Sequence, residues 1–317
     1  MRYRPLGTSG LIVSVVGLGC NNFGRAVDLD GTRAVVDAAL EAGITLLDTA
    51  DVYGNRGGSE SLLGEALKGR REQVVLATKF GMDMGGANGP DWGARGSRRY
   101  VRRAVEASLE RLQTDWLDLY QYHAPDGVTP IEETLAALDE LVAEGKVRYV
   151  GSSNFAGWQV AEADAVARRD GATRFVSAQN SYSLLDRTLE RELIPACAHF
   201  GVGILPYFPL ANGLLTGKYR RGEPPPEGTR LAARGAAISD RSFDAVEALE
   251  RFAAERGRTL LDVAIAGLGA LPAVGSVIAG ATRPEQVRAN AAAGDWEPTA
   301  EDLSALNAIV PPMRAVR

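Results

Sequence analysis

Eight short aliphatic runs recur along the 317-residue chain, and amphipathic helical patterns separate them. They are Val15–Gly19, Thr45–Asp48, Val74–Lys79, Leu117–His123, Val147–Gly151, Phe175–Gln179, Gly203–Tyr207 and Ser276–Ala279. Between them, Val101, Val105, Leu109 and Leu112 stripe one helix, and Ile131, Leu135, Leu138 and Val142 stripe another. Helices are also predicted over Asp30–Ala42, stopped by Gly43, and over Ser59–Lys68, with Ser59 at the N-cap. A hairpin over Arg2–Ser14, turning at Gly7–Gly10, precedes the series. Strands that alternate with helices, without a linker or a break in composition, predict an α/β fold. The expected form is a (β/α)8 TIM barrel with an N-terminal β-hairpin, one domain over residues 1–317. An open doubly wound sheet satisfies the same periodicity and crossover handedness. The polar residues separate the two.

Composition removes several function classes. Thirty-five Lys+Arg against 40 Asp+Glu leave a net charge of −5, which argues against a nucleic-acid coat and leaves room for a local phosphate pocket. Two cysteines, Cys20 and Cys197, make no disulfide framework, and two histidines are too few for a usual zinc site, so no metal is expected. The N-terminus lacks the apolar core of a signal peptide, and a cytoplasmic location is expected. Val263–Ala281 is uncharged over 19 residues, but four glycines and Pro272 break it into a helix end, a turn and a strand. No membrane association is expected.

In a (β/α)8 barrel the chemistry sits where strands end, at the C-terminal rim. There the second strand ends in Asp48 with Tyr53 just beyond, the third in Lys79 and the fourth in His123. Taken singly, each has an ordinary structural reading: a turn cap, a half-buried ring, a rim charge, a core histidine. Four at one rim read as a set. A lone tyrosine titrates near ~10; an ammonium beside it favours the phenolate, so Lys79, held by Asp48, is expected to make Tyr53 more acidic. His123, expected neutral, can donate to a carbonyl oxygen. No protein group supplies a hydride for the carbonyl carbon, so a cofactor must.

These residues sit in motifs that resemble the aldo-keto reductase superfamily. Asp48-Thr49-Ala50-Asp51-Val52-Tyr53-Gly54, Leu76-Ala77-Thr78-Lys79-Phe80-Gly81 and Asp118-Leu119-Tyr120-Gln121-Tyr122-His123 are similar to its Asp/Tyr, lysine and histidine signatures. The resemblance runs from the hairpin through Asn290, and it implies a catalytic tetrad of Asp48, Tyr53, Lys79 and His123. In Gly151-Ser152-Ser153-Asn154-Phe155 it implies that Ser153 and Asn154 contact a nicotinamide carboxamide, with Gln179 on the same amide and Tyr207 stacked under the ring. Phe208 stands where many relatives carry Ser or Thr, and the loop from Pro209 through Leu210, Asn212, Gly213 and Lys218 resembles the one along the pyrophosphate.

Gly280 through Asn290 resembles the segment that grips the adenosine 2′-phosphate, which implies NADPH/NADP+ rather than NADH. Arg283 would pair with the phosphate, and Gln286 and Asn290 would contact the ribose and adenine. Thr282 and Glu285 have capping-box spacing and Pro284 a first-turn position, so a helix N-terminus suited to an anion is expected there. Gly17-Leu18-Gly19 fails as a dinucleotide fingerprint, because Asn22 stands at the third glycine position; Gly19, Cys20 and Asn21 are expected to line the mouth instead.

The expected reaction is reduction of a small-molecule aldehyde or ketone by hydride transfer, with Tyr53 as proton donor. Asn22, Phe23 and Trp92 are candidate substrate walls. The long Phe80–Ser97 and Arg221–Ser239 loops are expected to border the pocket and to order on binding. Two alternatives stay open: a lyase forming a Schiff base on Lys79, and a nucleotide-sensing binding protein resembling potassium-channel β subunits, which share the fold and the tetrad.

Overall fold

Parallel strands covered on both faces are written as continuous aliphatic runs, and the eight runs form one sheet. The computed structural model describes residues 1–313 except 228, 230 and 233–237. It opens with an antiparallel hairpin, β1 (Tyr3–Pro5) against β2 (Ile12–Ser14). The parallel strands follow: β3 (Val16–Gly19), β4 (Leu46–Asp48), β5 (Val75–Phe80), β6 (Leu117–Tyr122), β7 (Val147–Ser153), β8 (Phe175–Ser181), β9 (Gly203–Tyr207) and β10 (Val277–Gly280). Their order is β10-β3-β4-β5-β6-β7-β8-β9. A parallel bridge between Ile204 and Val274, with Gly275 N donating to Ile204 O at 2.8 Å, joins the last gap. The result is a nearly closed (β/α)8 barrel with an N-terminal hairpin.

The helices are α1 (Leu29–Glu41), α2 (Tyr53–Ala66), α3 (Arg98–Leu112), α4 (Ile131–Ala143), α5 (Gly157–Asp170), α6 (Leu193–Phe200), α7 (Asp240–Ala254), α8 (Leu260–Asp262), α9 (Pro284–Ala293) and α10 (Ala300–Ile309). Side-chain caps set several starts: Asp28 accepts from Gly31 N before α1, and Ser97 from Tyr100 N before α3. Two predicted caps are corrected. Ser59 is not the N-cap; it lies buried in the first turn of the regular part of α2, donating to Cys20 O and bonding Thr49 Oγ1. Its place was misread because Gly54–Gly57 form a left-handed turn that joins Tyr53 to the regular helix. Before α9 the N-cap is Arg283, with no side-chain cap bond, and Pro284 opens the helix. Thr282 instead turns its N and Oγ1 to Gln286 Oε1, so the Thr282–Glu285 capping box does not form.

The hairpin closes the N-terminal end of the barrel. Leu6, Leu11 and Val13 pack inside against Leu46, Ala77, Leu119, Leu205 and Ile278 of the strands. The turn docks closely enough that a Cβ on Gly7, at φ +60°, would lie 2.3 Å from Gly201 O. Side chains alternate along a strand, so two residues further on the same interior face carries Asp48, Lys79, Gln121 and Tyr207. An apolar plug below and a polar layer above is the arrangement that creates the site.

Val263–Gly267 forms a π-helical turn after α8, and Val277–Gly280 is a strand. Among the described residues no helix is long and apolar enough to cross a membrane. Of the Arg221–Ser239 stretch, residues 228, 230 and 233–237 lie outside the described residues, so its expected place at the pocket falls partly there. Arg221 itself is tied to α7 through Asp240, Asp244 and Glu247 at 3.1, 2.6 and 2.9 Å.

Candidate active site

At the C-terminal mouth the structure brings Asp48, Lys79, Tyr53 and His123 together. Lys79 Nζ, fully buried, donates to Asp48 Oδ2 at 2.7 Å and to Thr49 O at 2.8 Å. It stands 4.9 Å from the centroid of the Tyr53 ring. Tyr53 and His123 meet edge to face, with centroids 5.8 Å apart. His123 N donates to Phe80 O, which fixes the imidazole just past β6, while its buried Nδ1 has no partner among the described residues.

The electrostatics follow from burial and these neighbours. Burial alone would lower the Lys79 pKa, but Asp48 and Tyr53 together outweigh it and hold the ammonium charged. Burial, reinforced by the Lys79 charge, pushes His123 down to about 3, so it is a neutral imidazole at physiological pH. Tyr53 departs from the sequence-based expectation. Burial raises its pKa above the ordinary 10.0, and the opposing pull of Lys79 does not overcome it. The phenol is therefore less acidic than a free tyrosine here. Desolvation at the mouth, invisible in the residue spacing, decides the sign.

One member of the constellation escaped sequence reasoning. Gln121 Nε2 donates to Asp48 Oδ1 at 3.1 Å, and Gln179 Nε2 donates to the same oxygen at 2.9 Å and to Gln121 Oε1 at 3.2 Å. Strand alternation carried the signal: Leu119, Gln121 and His123 share a face. Gln179 was expected to hold a carboxamide. Its amide N–H groups are already committed, which leaves Oε1 as its free polar atom among the described residues.

The other residues assigned to a nicotinamide lie beside His123. Asn154, at φ 58°, donates to His123 O at 2.9 Å and accepts from Tyr207 Oη at 2.8 Å. Ser153 Oγ donates to Gln179 O at 2.9 Å. Tyr207 is half-buried, and Phe208 packs edge-on to it at 5.0 Å. Beyond them Pro209 is buried and Leu210 half-buried. Asn212 and Gly213 adopt positive φ, and a Cβ on Gly213 would meet Lys218 Nζ at 3.2 Å.

Across the mouth, Asn21, Asn22 and Gly19 surround Gly280. A cleft of about 520 Å³ opens between the Gly24–Asp28 turn and Thr282. Arg283 is exposed at the start of α9, while Asn290 is buried on that helix and Gln286 is occupied by Thr282.

Two expectations, for the Cys20 and Phe23 side chains, are corrected, and the structure places Asn22 and Trp92. Cys20 is wholly buried with Sγ on Leu18 O, and burial pushes its thiol well up, so only its backbone reaches the mouth region. Phe23 lies fully inside the strand–helix core and walls no pocket. Asn22 turns its amide to Ala281 O at 3.4 Å, on the β10 side of the mouth. Trp92 is 74% exposed, with the Arg99 guanidinium 4.6 Å from its ring. The loop between β5 and α3 has inward residues of another kind, Met84 and Asn88.

Comparison with known proteins agrees with this geometry. A model described as the aldo/keto reductase family matches residues 15–311. An uncharacterized oxidoreductase, YrpG, of Bacillus subtilis (strain 168) is 40% identical over 98% of this chain and 96% of its own. A probable voltage-gated potassium channel subunit beta of Oryza sativa subsp. japonica is 35% identical over 98% of this chain and 97% of its own. The versiconal hemiacetal acetate reductase of Aspergillus parasiticus is 36% identical, covering 84% of each.

Proposed function

This chain belongs to the aldo/keto reductase family, a family of oxidoreductases, and we propose that it is an NADPH-dependent reductase of aldehydes or ketones with Tyr53 as the proton donor. The observation that carries this reading is the meeting of Tyr53 with a charged Lys79 and a neutral His123. The residues present fit a nicotinamide nucleotide. A half-buried Tyr207 held by Asn154 offers a flat aromatic face beside His123. Gln179 Oε1 and the neighbouring Ser153 and Asn154 suit a carboxamide. The cleft beside Thr282, with exposed Arg283 and the α9 N-terminus, suits a phosphate. Gly19, Asn21, Phe208, Pro209, Leu210, Asn212, Gly213, Lys218, Gly280, Gln286 and Asn290 would line the path between.

Bound there, the reduced nicotinamide supplies the hydride. The chain's own residues do the rest. His123, uncharged, directs a carbonyl oxygen by a hydrogen bond, and Tyr53 passes its hydroxyl proton to that oxygen as negative charge develops. Lys79 stabilises the phenolate left behind, and Asp48, braced by Gln121 and Gln179, holds the ammonium. The same ion pair argues against Schiff-base chemistry, which needs a neutral lysine amine.

The relatives named as potassium channel β subunits favour one second reading, a nucleotide-sensing binding protein. Single-turnover mixing of the NADPH complex with a panel of aldehydes and ketones separates the two. A reductase oxidises the bound nucleotide at about 1–10³ s⁻¹ with at least one member of the panel. NADPH that stays bound and reduced throughout would exclude the reductase and leave the sensor.

Cofactor choice has its own test. Arg283→Ala removes a charge-assisted contact of about 1.5–3 kcal/mol. NADPH affinity should fall about 10- to 150-fold while NADH affinity holds, read by fluorescence titration. Equal affinity of the parent for the two nucleotides would remove Arg283 from this role.

A further inference from the structure

The segment 81–97 between β5 and α3 contains six glycines, yet its centre is fixed. Asn88 is 5% exposed, and both ends of its carboxamide are used. Its Nδ2 donates to Asp51 Oδ2 at 3.0 Å, and its Oδ1 accepts from Arg111 Nη1 at 3.2 Å. An amide can donate to a carboxyl oxygen and accept from a guanidinium at the same time.

The partners pack on the two sides of the turn that carries Tyr53, one from the chain just before it and one from α3. Asp51 lies two residues before Tyr53, on the turn whose backbone N bonds Lys79 O at 3.1 Å. Arg111 packs beneath the left-handed turn after Tyr53, so that a Cβ on Gly57 would lie 2.6 Å from Arg111 Cδ. Arg111 Nε also holds buried Glu60, whose other oxygen accepts from Thr78, the neighbour of Lys79. The segment itself packs against chain neighbours of both reacting residues. A Cβ on Gly81 would touch the ring of Tyr122, next to His123, and one on Gly85 would touch the Arg56 guanidinium, three residues past Tyr53.

We infer that Asn88 is a positioning residue that docks the 81–97 segment between Asp51 and Arg111 as a fixed wall of the substrate mouth. Its effect on catalysis rests on the reductase reading; the docking itself does not. The burial that pushes the Asp51 carboxyl well above its ordinary range also explains why a neutral amide faces it.

The test is a reciprocal exchange. Asn88→Leu removes both hydrogen bonds, and Asn88→Asp removes the N–H that donates to Asp51 Oδ2. Each should raise amide hydrogen exchange in residues 81–97 about 10-fold or more. Each should also raise the carbonyl KM about 10-fold, with NADPH affinity within about 2-fold of the parent, since Asn88 lies off the nucleotide path. Adding Asp51→Asn to Asn88→Asp restores an amide–carboxylate pair in reverse and should return exchange and KM to within about 3-fold of the parent. The same addition should not rescue Asn88→Leu. Unchanged exchange in Asn88→Asp, or a paired variant no better protected than Asn88→Asp alone, overturns the inference. Should Asn88→Leu fail to fold, the paired exchange decides by itself. Should the parent reduce no carbonyl, the reductase reading falls while segment exchange still decides the docking.

Discussion

Tyr53→Phe is expected to lower turnover by about 10²–10⁴-fold and to leave NADPH affinity unchanged. The substitution deletes one oxygen and keeps the ring that meets His123 at 5.8 Å and lies 4.9 Å from Lys79 Nζ. Neither neighbour can replace the lost acid. His123 is pushed down to about 3 and is a neutral imidazole at neutral pH, and Lys79, raised above its ordinary value because Asp48 and Tyr53 outweigh burial, holds its proton. The raised pKa of Tyr53 has a second consequence. The phenol stays protonated through neutral pH, so reduction should run level there and fall only above pH 10, where the hydroxyl ionises. Steady-state turnover against pH, paired with nucleotide titration, reads both effects. A Phe variant with turnover within about threefold of the parent would move proton donation to another group.

How much of this site could be read in the chain depends on the kind of physics each part obeys. Strand ends are local: Asp48 closes β4, Lys79 is the last residue but one of β5 and His123 follows β6, so their convergence follows once the barrel closes. Gln121 obeys the same alternation but was hidden inside a run that reads as ordinary strand. The acidity of Tyr53 is different in kind. It is the difference between desolvation and the pull of an ammonium, and only the packed fold supplies the first. Cys20 and Phe23 were misplaced because the backbone beyond β3 bends back under Ser59, burying side chains that sequence position assigns to the mouth. The Asn88 docking depends on Asp51, Glu60 and Arg111, which come from three separate stretches and share no periodicity.

The ion pair beneath the phenol yields the largest expected change in stability. Lys79→Met should lower the unfolding free energy by about 3–5 kcal/mol, because it strands a carboxylate that is 4% exposed. Gln121 and Gln179 still donate to Asp48 Oδ1, but Oδ2 loses the Lys79 ammonium. Combining Lys79→Met with Asp48→Asn removes both charges and keeps an acceptor for the two glutamines. Most of the lost stability should return, as it does when a buried pair is replaced as a unit. Turnover should not return, because the phenolate would then form with no cation beside it. The pH response has a definite sign. Lys79 is raised above its ordinary 10.5, so its contribution is fully present below that value and is lost only as pH rises through the folded pKa. The parent's advantage over Lys79→Met should therefore be constant between about pH 6 and 9. Denaturant unfolding of the four members of the cycle measures the coupling. Additive losses, within about 0.5 kcal/mol, would mean that Asp48 and Lys79 do not stabilise each other, and the reason for a permanently charged lysine under Tyr53 would go with them.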